Sequence, residues 1–259
     1  MLIIFRACRE NTLWYASRLR FTPLEECRTT FVVSREDVLY YPRMLPFFAF
    51  RAHLNKIIFI IICSDFLLTV GATLLAPIFA LFITQQVQGG SARTVGFAIA
   101  IYWITKSVLQ LPIAKVIDKN HGERDDYYSM VGGLFFASFV IAAYFFATHI
   151  WHVYALQALL GVADAFLLPP FYAVFTRHID PGREGFEWSL RSSISFGGGS
   201  AVGGAMGGLL LALVGFGNIF LLASTFYFMS GIILLSLHPY IIPKTKNPVE
   251  RILVEQKRI

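Results

Sequence analysis

The sequence predicts an all-α membrane protein of six transmembrane helices, arranged as two triplets of opposite orientation. Three observations predict it. Hydrophobic residues make up 56% of the 259 positions and charged residues only 15%, with a mean hydropathy of +0.61; soluble domains carry about a quarter charged residues. The apolar residues fall in blocks long enough to supply the ~20 residues that a helix needs to cross ~30 Å of hydrocarbon. One short segment recurs in two blocks that run in opposite directions.

The elements follow in order. Residues 1–55 hold eight of the 22 basic residues and no apolar run of spanning length, and read as a cytoplasmic tail. Met1 to Arg6 is too short an apolar run for a signal peptide. Leu45–Lys56 is aromatic-rich and suits the headgroup region. Met44 just before it is a candidate translation start, with residues 1–43 then an artefact. The membrane domain covers 56–240. Its spans are read at 57–83, 95–117, 128–148, 151–175, 188–214 and 219–237, and the short connections make neighbours antiparallel. Residues 241–259 form a cytoplasmic segment in which Asn247-Pro248 opens a short amphipathic helix.

Orientation comes from the basic residues. The tail, the 2–3 connection (Lys119, Arg124), the 4–5 connection (Arg177, Arg183) and the C-terminal segment fall on one side, and only Arg93 on the other. The positive-inside rule then makes both termini cytoplasmic. The same rule accounts for the net charge of +6 without nucleic acid. A cell (inner) membrane location is expected.

Ala72, Leu74, Leu75, Pro77, Ala80 and Phe82 in span one match Ala165, Leu167, Leu168, Pro170, Ala173 and Phe175 in span four at a constant offset of 93. Shared membrane-helix composition is the competing explanation, and the aligned prolines favour a repeat. Because the two spans run oppositely, the repeat is a three-plus-three inverted one, a plan found inside transporter halves. Pro77 and Pro169-Pro170 are expected to kink their helices.

Charges in the hydrocarbon are costly, at least ~2.5–3.5 kcal/mol each on insertion scales, and usually face a bundle interior or a wet cavity. Here they are Asp65 in span one, Lys106 in span two, Asp164 in span four and Arg191 in span five; spans three and six carry none in their interiors. Helical spacing groups Asp65 with Thr69 and Thr73, Lys106 with Tyr102 and Gln110, Asp164 with Gln157 and Gly161, and Arg191 with Glu187 and Ser195. Glu187 precedes Arg191 by four residues, the favourable order for a pair. Two readings stand for these groups: a solute or proton site, or buried ion pairs that fix packing. Lys106 has Asp164 and Asp65 as alternative partners. Asp65 lies toward the cytoplasmic end, where its carboxylate is also placed to reach water.

Gly199, Gly203 and Gly207 recur every four residues and form a stripe that lets helix backbones approach closely. A phosphate-cradling loop is excluded because no strand precedes the run. His178 reads as a solvated loop residue. Cys8, Cys27 and Cys63 have no metal-ligand spacing, and no nucleophile–base constellation is present, so neither an enzyme, a cofactor nor a metal is expected.

These residues resemble the N-terminal half of a major facilitator superfamily (MFS) transporter over roughly 57–259. The 2–3 connection is similar to the family pattern Gly-x-x-x-Asp-Arg/Lys-x-Gly-x-Arg/Lys-Arg/Lys: Ala114 replaces the first glycine, Asp118 and Lys119 match, and Gly122 arrives one residue late before Arg124. The span-five pattern Gly-x-x-x-Gly-Pro-x-x-Gly-Gly, typical of exporting antiporters, maps onto Gly199, Gly203, Gly207 and Gly208, with Gly204 in the proline position. In span four the family arginine is replaced by Gln157, four residues before Gly161. The resemblance implies that helices one, two, four and five line the cavity or the interface between halves, the four helices that carry charges here. It implies gating by Asp118, Lys119 and Arg124, a helix-sliding interface at the span-five glycines, and a small solute, with protons, bound near Asp65, Tyr102, Lys106, Gln110, Gln157, Asp164 and Arg191. Family members usually have twelve helices, so six imply a parallel homodimer or a separate second half. A non-transporting scaffold or inactive fragment is the alternative.

Overall fold

The computed structural model describes residues 54–119 and 123–241, with the side chains of Asp118 and Lys119 outside the description. The readings of the tail, of Met44, of Gly122 and of the helix after Asn247 lie outside the described residues. Helices account for the rest: α1 (Lys56–Gln86), α2 (Ala92–Lys119), α3 (Arg124–Ala143), α4 (Ile150–Arg177), α5 (Glu184–Arg191) and α6 (Gly199–Leu235). A π-helical stretch, Ser192–Gly198, joins α5 to α6, and 3-10 turns follow α3 and α6. Among the described residues β-structure is limited to a single bridge, Gln88 with His149. Helix is the expected solution, since a segment in lipid must satisfy its own backbone polar groups. The chain is an all-α, multi-pass membrane protein.

Helix ends follow local chemistry. Asn55 accepts from the Ile57 amide at 3.1 Å and opens α1, as an N-cap side chain does. Ser91 accepts from the Thr94 amide at 3.3 Å and opens α2. α1 continues through Pro77 and α4 through Pro169 and Pro170.

Five helical stretches are long and apolar enough to cross a membrane: Lys56–Gln86, Ala92–Ile117, Arg124–Phe146, Ile150–Arg177 and Glu184–Tyr240. The sequence reading divides the last into two spans. The backbone breaks within it at Gly215, where φ is 74° and ψ 170°; that left-handed φ suits glycine, which has no Cβ to clash. Contacts with α1 show what the break does. Before it, Ser195 meets Ile62, Gly199 meets Phe66 and Thr69, Gly203 meets Val70 and Thr73, and Gly207 meets Leu74. After it, Phe220 meets Phe82, Tyr227 meets Gly71, and Ser230 meets Ser64. The chain climbs alongside α1 and then descends it. Spans five and six are thus two arms of one hairpin, with a single glycine as the turn.

The descending arm of α6 is bolted in place by reciprocal serine bonds. Ser64 Oγ donates to the Ser230 carbonyl at 3.0 Å and Ser230 Oγ to the Ser64 carbonyl at 2.7 Å. Ser138 and Ser224 do the same between α3 and α6, at 3.0 and 2.9 Å. α3 and α4 run antiparallel, joined by Ser129 to the Phe166 carbonyl near the middle and by the Asp126–Arg177 ion pair at the end. The core lies among α1, α3, α4 and α6, around Tyr127, Phe175, Phe220, Leu74 and Met130. α2 is the least covered helix, with Phe97, Trp103, Ile104, Val108 and Leu111 exposed.

The opposed directions of α1 and α4 agree with an inverted repeat. The seams agree as well. α1, the first helix of one triplet, packs closely on the ascending arm of α6. α4, the first of the other, packs on α2, where a Cβ on Gly161 would stand 2.7 Å from the Tyr102 carbonyl and 3.0 Å from Thr105 Cβ.

Candidate functional site

Gly161 brings the α4 backbone against α2, and Asp164, one turn on, shares that face. There Tyr102 Oη donates to Asp164 Oδ2. Lys106 Nζ donates to Tyr102 Oη at 3.2 Å and stands 3.6 Å from Asp164 Oδ2. A directed chain results: ammonium to phenol, phenol to carboxylate. The Lys106 side chain is 9% exposed and that of Asp164 18%. The Lys106 ammonium also lies 4.6 Å from the Trp103 ring centre and 5.3 Å from that of Tyr102, where the ring quadrupole favours a cation. Between its two alternative partners, Lys106 takes Asp164.

Asp65 takes Arg191 instead. Arg191 Nε stands 3.0 Å from Asp65 Oδ2, and Nη2 donates to Oδ1 at 3.4 Å. The guanidinium is enclosed by Phe171, Trp188 and Tyr172, with ring centres 4.7, 5.7 and 5.8 Å away. Two expectations are corrected here. Asp65 does not reach cytoplasmic water, being 5% exposed. Arg191 does not pair with Glu187: α5 turns its guanidinium toward Asp65 on α1.

Each ion pair therefore joins the first helix of one triplet to the second helix of the other, Asp65 on α1 with Arg191 at the end of α5, and Asp164 on α4 with Lys106 on α2. The acid stands on the first helix in both cases. The π-helical stretch that follows Arg191 widens the turn there, a feature frequent at functional sites, and Ser195 within it donates to the Ile62 carbonyl at 3.0 Å.

The remaining predicted residues fall differently. Gln157 is buried on α4 beside the Tyr144 hydroxyl, apart from the Asp164 cluster. Gln110 is half-buried one turn beyond Lys106 and makes no hydrogen bond among the described residues. Thr73, on the stripe with Asp65, faces the glycine seam and donates to the Thr69 carbonyl at 2.7 Å. Gly199, Gly203 and Gly207 all press on α1, whereas a Cβ on Gly208 would meet nothing within 4 Å; Gly208 is one residue out of the register of four and faces away. Arg124 is exposed at the start of α3, and Asp118 and Lys119 end α2.

Some residues escaped the sequence reading. Tyr227, from the descending arm of α6, lies near Asp164 and Tyr102, and Gly71 makes room for its ring. Trp103, three residues before Lys106, was findable by helical spacing. At the opposite end of α4, Arg177 pairs with the fully buried Asp126, and His178 Nδ1 lies 3.6 Å from Glu123 Oε1 and 2.9 Å from the Val174 carbonyl. His178 is therefore a largely buried linker, and Asn55 donates to its carbonyl at 3.2 Å. Among the described residues no cluster of metal-ligating side chains occurs.

Known proteins share this arrangement of sequence. The chain is 30% identical over 162 residues to the proton-coupled antiporter flippase LtaA of Staphylococcus saprophyticus, covering 62% of this chain and 39% of that protein. It is 28% identical over 162 residues to the protein of the same name in Staphylococcus epidermidis, covering 62% and 38%, and 30% identical to that of Staphylococcus haemolyticus over the same shares. The chain thus spans about two fifths of the length of these relatives. The family model described as Major Facilitator Superfamily matches residues 61–257, most of the sequence. With paired intramembrane charges and a glycine seam in a helical membrane chain, and a family model matching most of its length, the chain belongs to the Major Facilitator Superfamily.

Proposed function

We propose that this chain is half of a secondary transporter that moves a small solute by alternating access, with protons as the coupling ion. The observation that carries the reading is the Tyr102–Lys106–Asp164 chain. Burying an ion pair costs several kcal/mol per ion before the mutual attraction repays it, and a packed apolar contact would hold α2 to α4 at no such cost. A carboxylate with a phenol and an ammonium in line is suited to take up a proton when the ammonium is drawn to a solute. The relatives are described as proton-coupled antiporters, which supports the same coupling here.

Asp65 and Arg191 form the corresponding pair on the other seam, and Gln110 and Gln157 line the same helices. Asp118, Lys119 and Arg124 act in gating on the cytoplasmic side, and the Gly199–Gly203–Gly207 seam is where α6 slides on α1. The second half is supplied by a second copy in parallel orientation, or by another six-helix segment, with the solute on the axis between them. The exposed apolar face of α2 supports a partner on that side. Both termini are cytoplasmic and the membrane is the cell membrane.

The test is flux. The chain in proteoliposomes with an imposed pH gradient is offered zwitterions, organic ions, sugars and, because its relatives are called flippases, amphiphilic lipids. Transport of one of these should discharge the gradient, and Asp164→Asn should abolish both. Undiminished transport in that variant removes Asp164 from the mechanism. Crosslinking in native membranes that recovers only single copies without a partner removes the half-transporter reading.

A further inference from the structure

The Lys106 ammonium does not touch the carboxylate that it pairs with. Nζ stands 3.6 Å from Asp164 Oδ2, beyond hydrogen-bond reach, and Tyr102 Oη bridges the two, 3.2 Å from Nζ. The ammonium lies instead on an aromatic surface. The Trp103 ring centre is 4.6 Å away, against 5.3 Å for Tyr102. Trp103 meets the Tyr102 ring edge-on, with centres 5.2 Å apart and planes at 75°, an arrangement aromatic pairs prefer. Lys106 follows Trp103 by three residues, so helical spacing puts the two side by side on α2. The titratable groups around them are Tyr102 on the same helix, Asp164 on α4, and Tyr227 on α6 near Asp164. Asp65, the acid of the other seam, is held by Arg191.

Uptake of a proton by Asp164 removes the charge opposite Lys106. A buried ammonium left without its partner is strongly unfavourable, so the lysine must then lose a proton or find another stabilising surface. A ring face is such a surface. Its quadrupole attracts a cation without carrying a net charge, and tryptophan does so best. Its hold on Lys106 therefore does not depend on whether Asp164 is ionised.

We propose that Trp103 is a positioning residue, the second seat of the Lys106 ammonium, and that it keeps the lysine charged and in place while Asp164 carries a proton. The proton comes from water onto Asp164, Lys106 keeps its own, and no other bond changes. When Asp164 gives the proton up, the ammonium returns to the carboxylate through Tyr102. The inference rests on the transport reading for the step at which Asp164 is protonated.

Reversible unfolding of the full chain in mixed detergent–SDS micelles tests the seat, with Asp164→Asn standing for the protonated acid. Trp103 is 55% exposed, so Trp103→Leu leaves no buried cavity. In the wild type the ammonium then settles on Asp164, and the loss should be small. In Asp164→Asn it has no other seat, and Trp103→Leu should raise the unfolding constant about ten-fold more than in the wild type. Trp103→Phe keeps a ring face and should recover part of that factor. Tetrafluoro-tryptophan placed at position 103 alone keeps the shape of the ring and removes its negative face. In Asp164→Asn it should act as Trp103→Leu does, which supplies the readout even where the leucine double variant does not fold. Adding Lys106→Met should cancel the fluorination effect, an outcome that a merely structural ring would not give. Equal effects of Trp103→Leu in the two backgrounds would overturn the proposal. So would fluorination that changes nothing in Asp164→Asn, or an effect that persists without Lys106. The assay contains no transport step, so undiminished flux through Asp164→Asn would refute the transport reading and leave the seat standing.

Discussion

Replacing Gly207 by alanine inserts one methyl group into the seam between α1 and α6. The new Cβ would stand 2.5 Å from the Leu74 carbonyl oxygen, against about 3.4 Å for ordinary contact, so the helices must part by about 0.9 Å. Backbone carbonyls cannot rotate away as a side chain can, and neighbouring contacts at Gly203 and Gly199 open with them. Overpacking of this kind costs about 1–3 kcal/mol. Alanine returns about 1 kcal/mol of helix propensity, leaving a net loss of up to about 2 kcal/mol. Gly208→Ala is the internal control, because its Cβ meets nothing within 4 Å and only the propensity term acts. Reversible unfolding of the full chain in mixed detergent–SDS micelles should therefore move to lower SDS for Gly207→Ala and hold or rise for Gly208→Ala. Equal shifts for the two variants would refute the seam, since they would show that both glycines face the same surroundings.

Three further predictions use the same unfolding assay or its transport counterpart. Ser230→Ala removes one donor of the reciprocal bond to Ser64 and should cost about 0.6 kcal/mol, the usual size of such bonds in membrane proteins; a loss above about 2 kcal/mol would mean that the descending arm of α6 is held differently. Arg191→Met leaves the Asp65 charge buried and should cost about 3–5 kcal/mol, with most of that recovered in the double variant with Asp65→Asn; a cycle showing no coupling would deny the pair. Tyr102→Phe breaks the donor chain to Asp164 while leaving Lys106 3.6 Å from it, and should reduce proton-coupled flux by more than ten-fold without loss of folded protein. Flux at the wild-type level would show that the phenol is dispensable.

Much of the architecture was legible because the bilayer imposes it. A segment that crosses hydrocarbon must be helical and apolar over about 20 residues, so the spans announce themselves in composition. The glycine period at Gly199, Gly203 and Gly207 was legible for a similar reason: a stripe without side chains has few uses other than close approach. The break at Gly215 falls in the 215–218 connection read between spans five and six. That a single glycine supplies the turn was not legible.

Partner choice among the charges was not legible. Spacing along a helix ranks neighbours on that helix, and it offered Glu187 to Arg191. Tertiary packing brought Asp65 on α1 within 3.0 Å of the guanidinium, and the longer-range pair formed although Glu187 is buried too. His178 followed the same rule: local sequence read a solvated loop residue, while packing at the end of α4 buries most of its ring beside Glu123. The sequence alone determined which helices carry charge and where backbones approach. Only the tertiary structure decided which charges meet, because the energy of a buried pair depends on distance and desolvation across helices, and neither is written in the order of residues along one of them.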